Sequence, residues 1–357
     1  MTTPQVHFVA VDPEEPAKTV APKVARLFRD SGLAKYIGKN DLTAIKMHFG
    51  ERKNTTHIAP ALVRPVVEVI KKRGAKPFLT DTCVLYKSPR DNAVGHLALA
   101  QEQGFTLGKV GAPVMIADGL VGNAEREVEI PGKIFQSVSI ANVAFDSNAI
   151  VVLTHVTGHI GAGLGGAIKN LGMGFASRKG KLRQHSVSKP SIVTKACTGC
   201  WECADHCPTK AIGQDGETAS IDNEVCIGCG ECVTACRFDA IKFDWNRSDY
   251  ELQELMAEHA LGAVIKKKRK VVYLNYLMAI TKDCDCFNKE QTPCMADIGI
   301  IASDDPVAID AASLDLIEEA AGRSLSDMAY PEIDPKAQLR HGETIGLGRC
   351  DYELVRL

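Results

Sequence analysis

AIVVLTHVTGHIGAGLGGAIKNLGMG, residues 149–174, reads as a buried strand, a glycine-rich loop and the start of a helix. Its first eight residues are mostly apolar and rich in β-branched side chains, without the polar alternation of a half-solvated strand. Four similar runs lie elsewhere: LTAIKMHF (42–49), AKPFLTD (75–81), VVYLNYLMAI (271–280) and ADIGIIAS (296–303). Helical patterns separate them. ALVRPVVEVIKKRG (61–74) closes on lysines and glycine, with Pro65 in its first turn or kinking it. DDPVAIDAASLDLIEEAAG (304–322) opens with Asp304 or Asp305 as cap and Pro306 at the first helical position. YELQELMAEHALGAVIKKK (250–268) reads as an amphipathic helix leading back into the sheet, and KKKRK (266–270) as a solvated turn. Strands alternating with helices predict an α/β layered domain with a largely parallel sheet.

The chain has 357 residues, 45% of them hydrophobic and 24% charged, with formal net charge −2. That balance points to neither nucleic-acid nor membrane binding. The N-terminal residues lack a basic start and an apolar core of export-signal length, and no run of about 18 apolar residues occurs, so a cytoplasmic location is expected. Among reducing thiols, thirteen cysteines point to metal binding more than to disulfides.

Eight of those cysteines form two runs, CTGCWECADHC (197–207) and CIGCGECVTAC (226–236), each C-x2-C-x2-C-x3-C. They repeat with period 29, continuing into Ala211-Ile212 and Ala240-Ile241. The α/β pattern stops near 190 and resumes near 250. The chain therefore divides into a discontinuous α/β domain, 1–190 and 246–357, and an inserted α+β module, 191–245. Paired C-x2-C units also build zinc sites, but two identical three-plus-one runs fit zinc poorly. The runs resemble bacterial two-cluster ferredoxins. The resemblance implies that Cys197, Cys200, Cys203 and Cys236 hold one [4Fe-4S] cluster, and Cys226, Cys229, Cys232 and Cys207 the other. Pro208 follows the first run as that family expects, whereas Arg237 follows the second, which would alter local potential more than ligation. The insert carries nine acidic and four basic residues, which suits an electron-transfer face or simply a solvated one.

Open α/β sheets bind ligands at the carboxyl ends of their strands. The predicted strands put His48 and Glu51, Asp81 and Cys83, His155 and His159, Cys284 and Cys286, and Ser303 and Asp304 at that rim. The glycine loop contains Gly161, Gly163 and Gly166 in a G-x-G-x-x-G arrangement that resembles a dinucleotide fingerprint. The acidic residue that would hold a ribose about 20 positions later is missing; no Asp or Glu occurs from 147 to 201. Lys169, Arg178, Lys179, Lys181, Arg183 and Lys189 stand there instead. A phosphate or carboxylate site on the loop amides and Lys169 is favoured over NAD, with close-packed structural glycine as the remaining reading. RNA is not supported, because no aromatic residues alternate with the basic ones.

Beyond the cluster cysteines, Cys83, Cys284, Cys286, Cys294 and Cys350 remain. Three of these crowd into DCDCFNKEQTPC (283–294), beside Asp283, Asp285 and Asp297. Two thiols of an extended C-x-C lie on one side, so Cys284 and Cys286, completed by Cys294 or a rim histidine, could grip zinc or nickel. Reactive or disulfide-forming thiols and packed apolar cysteines are the other readings.

The glycine loop, the ferredoxin runs and the sequence DCDC followed by DIGIIASDDPVAIDAASLDLI resemble together the uncharacterised Fe-S centre proteins, the domain-of-unknown-function 362 family with a ferredoxin insert. The resemblance spans roughly residues 40 to 325. It implies the fold and two [4Fe-4S] clusters, and no settled activity. Two functions fit. One is an oxidoreductase passing single electrons to a small anionic substrate or second metal at the strand-end rim, with His155, His159 or His48 supplying protons. The other is a non-catalytic electron carrier or redox-responsive partner protein, its α/β domain a docking scaffold. The size of the α/β domain favours the enzyme. Either needs a soluble electron donor or acceptor protein, and no flavin or nicotinamide motif supports a hydride step.

Overall fold

The computed structural model describes residues 3–185, 189–207, 209–226, 231–238, 240–242, 249–267 and 269–357. Eight strands form one sheet: β1 (Gln5–Ala10), β2 (Leu42–Lys46), β3 (Lys76–Asp81), β4 (Val114–Ile116), β5 (Ala149–His155), β6 (Val271–Leu277), β7 (Gly299–Ser303) and β8 (Glu353–Arg356). Their spatial order is β8-β1-β7-β6-β5-β2-β3-β4. Within this sheet β6, β5, β2, β3 and β4 pair in parallel, as do β1 and β8. β7 runs antiparallel to both of its neighbours. The sheet is thus largely parallel, as expected, with one reversed strand.

The longer helices are α1 (Ala17–Asp30), α2 (Pro60–Lys72), α3 (Ala93–Glu102), α4 (Ala167–Gly172), α5 (Arg178–His185), α6 (Asp249–Val264), α7 (Pro306–Ala321) and α8 (Ala337–Thr344). Side chains alternate across the strands, so each face has its own core. Ile45, Leu79, Val151, Leu153 and Leu274 pack with α1 and α2. Ala44, Phe78, Ile150, Val152 and Tyr273 pack on the other face with α4, α6 and α7. Burial on both faces explains why the strands read as unbroken apolar runs.

Helix ends follow the expected chemistry where the sequence is explicit. The Asp305 carboxylate caps α7, accepting the N–H groups of Val307 and Ala308 at 2.9 Å each, with Pro306 at the first position. Pro65 lies in the interior of α2, beyond its first turn, and is buried there. α6 is not amphipathic. It is buried nearly all round between α4, α8 and the hairpin of Glu125–Glu129 with Ser137–Ala141. Its polar Glu258 is satisfied inside, accepting the N–H groups of Lys133, Ile134 and Phe135 at 2.7–2.9 Å and facing His341 Nε2 at 3.1 Å. The basic run after α6 is not wholly solvated either. Lys267 is buried and donates to the carbonyls of Phe145 and Ser147, while Lys270 pairs with Asp41.

Residues 191–242 supply no strand to the large sheet among the described residues. Ser191–Ile192 pairs with Ile241–Lys242, and Ile212–Asp215 with Thr218–Ile221, around the short helices Glu202–Asp205 and Glu231–Ala235. Cys203, Ala219, Cys232 and Ile241 form a separate small core there. Cys229 lies outside the described residues. No described helix is long and apolar enough to cross a membrane.

One carboxylate joins three elements of the main domain. Asp310 of α7 accepts the first amides of α4, Ala167 N–H at 2.7 Å and Ile168 N–H at 2.9 Å, and the Asn275 side chain of β6 at 2.9 Å. A Cβ on Gly166 would stand 2.5 Å from that carboxylate. Asp310→Ala should lower the unfolding free energy by about 3–5 kcal/mol, each orphaned buried donor costing about 1–3 kcal/mol, as read from urea denaturation. A loss below about 1 kcal/mol would contradict this role.

Candidate functional site

The parallel strands β2, β3, β5 and β6 end at one rim, and there a cavity of about 860 Å³ opens. His48 follows β2, Asp81 and Thr82 end β3, His155 ends β5, and the loop after β6 brings Cys284, Asp285 and Cys286 across the front. Lys169 enters from α4, Lys181 and His185 from α5. Lys46 reaches up from within β2, its Nζ 3.0 Å from Asp81 Oδ1 and 2.7 Å from Asn170 Oδ1.

Most of these charges are compensated from behind. Burial lowers the Lys46 pKa, with Asp81 opposing the shift. Burial raises that of Asp81, but Lys46, His48, His96 and Arg90 outweigh it and hold the carboxyl below the usual range. Arg90, fully buried, donates to Glu51 at 2.8 Å and lies 3.8 Å from Asp81. Lys181 donates to Thr82 Oγ1 at 2.5 Å and to Ala176 O at 2.6 Å, and burial lowers it to about 8. His159 is kept neutral by burial and by Lys169. Its Nδ1 accepts the Gly161 N–H at 3.0 Å, so Nε2 carries the proton. His185 falls to about 4 through burial.

The DCDC segment is a turn, not an extended strand: the Phe287 N–H donates to the Cys284 carbonyl at 3.2 Å. Its carboxylates clamp it. Asp285 sits 2.9 and 3.1 Å from His155 Nδ1, while His155 Nε2 lies 3.1 Å from the carbonyls of Met278 and Ala279. Both ring nitrogens face acceptors, so both donate and the ring is imidazolium. Burial lowers the His155 pKa, but Asp285 and the carbonyls outweigh it and the net shift is upward. Asp283 accepts from the Tyr330 hydroxyl and from Lys289 at 2.6 Å, and the Cys286 carbonyl accepts from Tyr86 at 3.3 Å. Asp297 holds the Ala279 N–H at 2.7 Å, steadying a non-glycine residue at φ +48°.

Within that turn the two thiols are unlike. Lys169 Nζ stands 3.9 Å from Cys286 Sγ. The neighbouring Cys284 thiol, Lys169 and His48 together hold the Cys286 thiol well below its ordinary pKa; Cys286 and burial push Cys284 up.

The rim reading thus gathers His48, Asp81, His155, His159, Lys169, Cys284 and Cys286 around one cavity, with Gly161 and Gly166 in its wall. Other expectations are corrected. Asp310 already takes the helix-start amides of the glycine loop, so they are not open to an anion. Gly163, at φ +67°, packs on Pro335. The Cys294 thiol donates to the Ile280 carbonyl at 3.2 Å and packs on the core, so no three-cysteine site assembles with Cys284 and Cys286. Among the described residues no three His, Cys, Asp or Glu side chains gather as a single metal ion requires. Both ring nitrogens of His155 are engaged, which makes it a positioning residue. Glu51 and Cys83 lie behind the wall, Cys83 pushed up to about 12 by burial. Ser303 and Asp304 end the reversed strand β7 at the opposite edge, bonded to Gln5 and Tyr36. Lys46, Arg90 and Asn170 are site residues that the motifs do not single out. Lys46 carries a signal all the same, a lysine inside an apolar strand run.

Within residues 191–242, Cys197, Cys200, Cys203 and Cys236, drawn from both cysteine runs, line one small pocket with Ile192, Trp201, Ala219, Phe238 and Ile241. Backbone amides point at sulfurs, Ala211 to Cys207 at 3.2 Å, Ala240 to Cys236 at 3.4 Å and Ala219 to Cys197 at 3.5 Å.

A family model described as "Domain of unknown function (DUF362)" matches residues 43–315, from β2 into α7. The chain belongs to the DUF362 family. No curated protein matches this DUF362 chain. Among solved structures it is similar to the lactate racemase apoprotein from Thermoanaerobacterium thermosaccharolyticum, at 10% identity and TM-score 0.45, and to a protein from Thermotoga maritima, at 11% identity and TM-score 0.46. Each match covers 90% of this chain but 58% and 61% of the other. Likeness of that degree assigns no chemistry to the DUF362 cavity.

Asp285→Asn should cost about 3–5 kcal/mol, because it leaves His155 buried with half its partners. The His155 value is raised, so its share of stability is complete below about pH 6.5 and lost as pH rises through the folded value. The wild-type advantage in urea unfolding should therefore shrink as the pH is raised above about 6.5. A constant difference would contradict the imidazolium assignment.

Proposed function

We propose that the protein is an iron-sulfur redox protein, an oxidoreductase whose α/β domain holds a small anionic substrate in the rim cavity. The observation that carries this reading is the pocket lined by Cys197, Cys200, Cys203 and Cys236. These are the four that the ferredoxin resemblance assigns to one cluster. Their apolar surroundings and the amide bonds to sulfur suit a [4Fe-4S] cluster, whose potential such contacts tune. The amide four residues beyond the last cysteine of each run points at that cysteine, which agrees with two equivalent halves. Cys226, Cys229, Cys232 and Cys207 would hold the second cluster. When bound, the clusters supply one-electron transfer.

Residues 191–245 are then a redox module set into the α/β domain formed by 1–190 and 246–357. Of the described residues on either side of it, Gln184 and His185 of α5 and Leu252 of α6 line the cavity. Lys169, Lys181 and Lys46 draw an anion into the cavity, and His159, neutral with its Nε2 protonated, can donate a hydrogen bond to it there. A soluble electron-transfer protein would dock on the acidic insert. The docking-scaffold reading is less well supported, because burying several lysines around an 860 Å³ cavity carries a desolvation cost of several kcal/mol per ion. A scaffold has no use for that arrangement.

Protein purified without oxygen should contain about eight iron and eight sulfide per chain, the content of two four-iron clusters, and show a reducible cubane signal by electron paramagnetic resonance. Cys236→Ala should remove about half of the iron. Zinc in place of iron, or no iron in freshly isolated protein, would overturn the reading.

A further inference from the structure

The cavity contains a pair of thiols whose geometry an anion-binding site does not require. Cys284 and Cys286 stand one residue apart on the turn at Cys284–Phe287, and both line the cavity. Lys169 stands 3.9 Å from Cys286 Sγ, on the cavity side. The turn is pinned from four directions, by His155 on Asp285, Tyr330 and Lys289 on Asp283, and Tyr86 on the Cys286 carbonyl. Such clamping keeps a nucleophile and its neighbour in place through a reaction.

The geometry points to a redox-active thiol pair, Cys286 attacking and Cys284 resolving, that exchanges with a low-molecular-weight disulfide carrying anionic groups. This deepens the reading of the cavity as the reaction site and does not depend on the clusters. In the first half the Cys286 thiolate attacks one sulfur of the disulfide. A Cys286–substrate mixed disulfide forms, the substrate S–S bond breaks, and one substrate thiolate leaves and takes up a proton. In the second half Cys284 gives up its proton, attacks Cys286 Sγ and expels the other substrate half as thiol. The pair is oxidised by two electrons to an internal disulfide while the substrate is reduced to two thiols. The divided roles agree with the unequal thiols, since the attacking sulfur must be the thiolate. The groups facing Cys286 are Cys284, Lys169, His48, Tyr86, Arg90 and His159. The surrounding lysines select the anionic disulfide.

The test uses the whole protein, isolated reduced and without oxygen. It is treated with glutathione disulfide, which is anionic, or cystamine, which is cationic; the reaction is stopped by alkylation and the peptides are weighed. The peptide holding Cys284 and Cys286 should gain an internal disulfide about tenfold faster with glutathione disulfide, the scale of electrostatic enhancement in a charged cleft. Cys284→Ser should trap glutathione on Cys286, and Cys286→Ser should show neither product. In wild type, Cys286 should alkylate with a pH midpoint below that of Cys350; Lys169→Ala should raise this midpoint and Lys169→Arg restore it. Equal midpoints for Cys286 and Cys350, faster exchange with cystamine, or no trapped adduct in a folded Cys284→Ser protein would overturn the proposal. Wild-type midpoints and rates decide the matter even if the variants do not fold. Iron measured on the same sample separates the two readings: iron without exchange refutes the thiol pair alone, and exchange without iron refutes the clusters alone.

Discussion

A parallel run of strands covered on both faces must send its chemistry to one edge. β6, β5, β2 and β3 run the same way between two apolar layers, so polar side chains that end them have a single common exit. The cavity stands there, between the strand ends, α4, α5 and the loop after β6. The course of the chain holds it open. β5 leads into the glycine loop and α4, which Asp310 anchors to α7 and, through Asn275, to β6. The glycines are thus needed for close approach of protein to protein, as Gly166 against Asp310 shows.

Buried charge is the second constraint. Lys46, Arg90 and His155 are each placed against a carboxylate, because isolated charges at this depth would lose several kcal/mol of solvation. Lys169 is different: the group beside it in the cavity is the Cys286 sulfur, 3.9 Å from its Nζ. Burial lowers its pKa, yet Cys284 and Cys286 raise it further, so a lysine and a thiolate sustain each other in a water-poor wall.

The sequence disclosed some of this and hid the rest for physical reasons. Apolar strand runs and the Asp305-Pro306 helix start are legible because they are local. The rim residues at the ends of parallel strands can be named because side-chain placement follows from strand ends. The direction of β7 is hidden, since strand direction is a property of connections: the loop after β6 returns the chain alongside β6, reversing it and carrying Ser303 and Asp304 to the far edge. β1, β4 and β8 escape a sequence reading as strands at or near the edge with weak patterns. α6 looks amphipathic because Gln253, Glu258 and His259 are polar, whereas bonds to Gln338 and Phe135 let the first two be buried and His259 bonds back to the Leu255 carbonyl of its own helix. Cys294 looks like a third ligand by spacing alone; a turn and a hydrogen bond to Ile280 send it elsewhere.

The central claim is a division of labour, with metal clusters in the insert and a metal-free thiol pair in the cavity. Crystals grown without oxygen and measured on both sides of the iron absorption edge test it most directly. The account predicts two iron-rich anomalous peaks in the insert, one of them walled by Cys197, Cys200, Cys203 and Cys236, and no metal peak between Cys284 and Cys286. A metal peak on Cys286, or an insert free of iron, would contradict it.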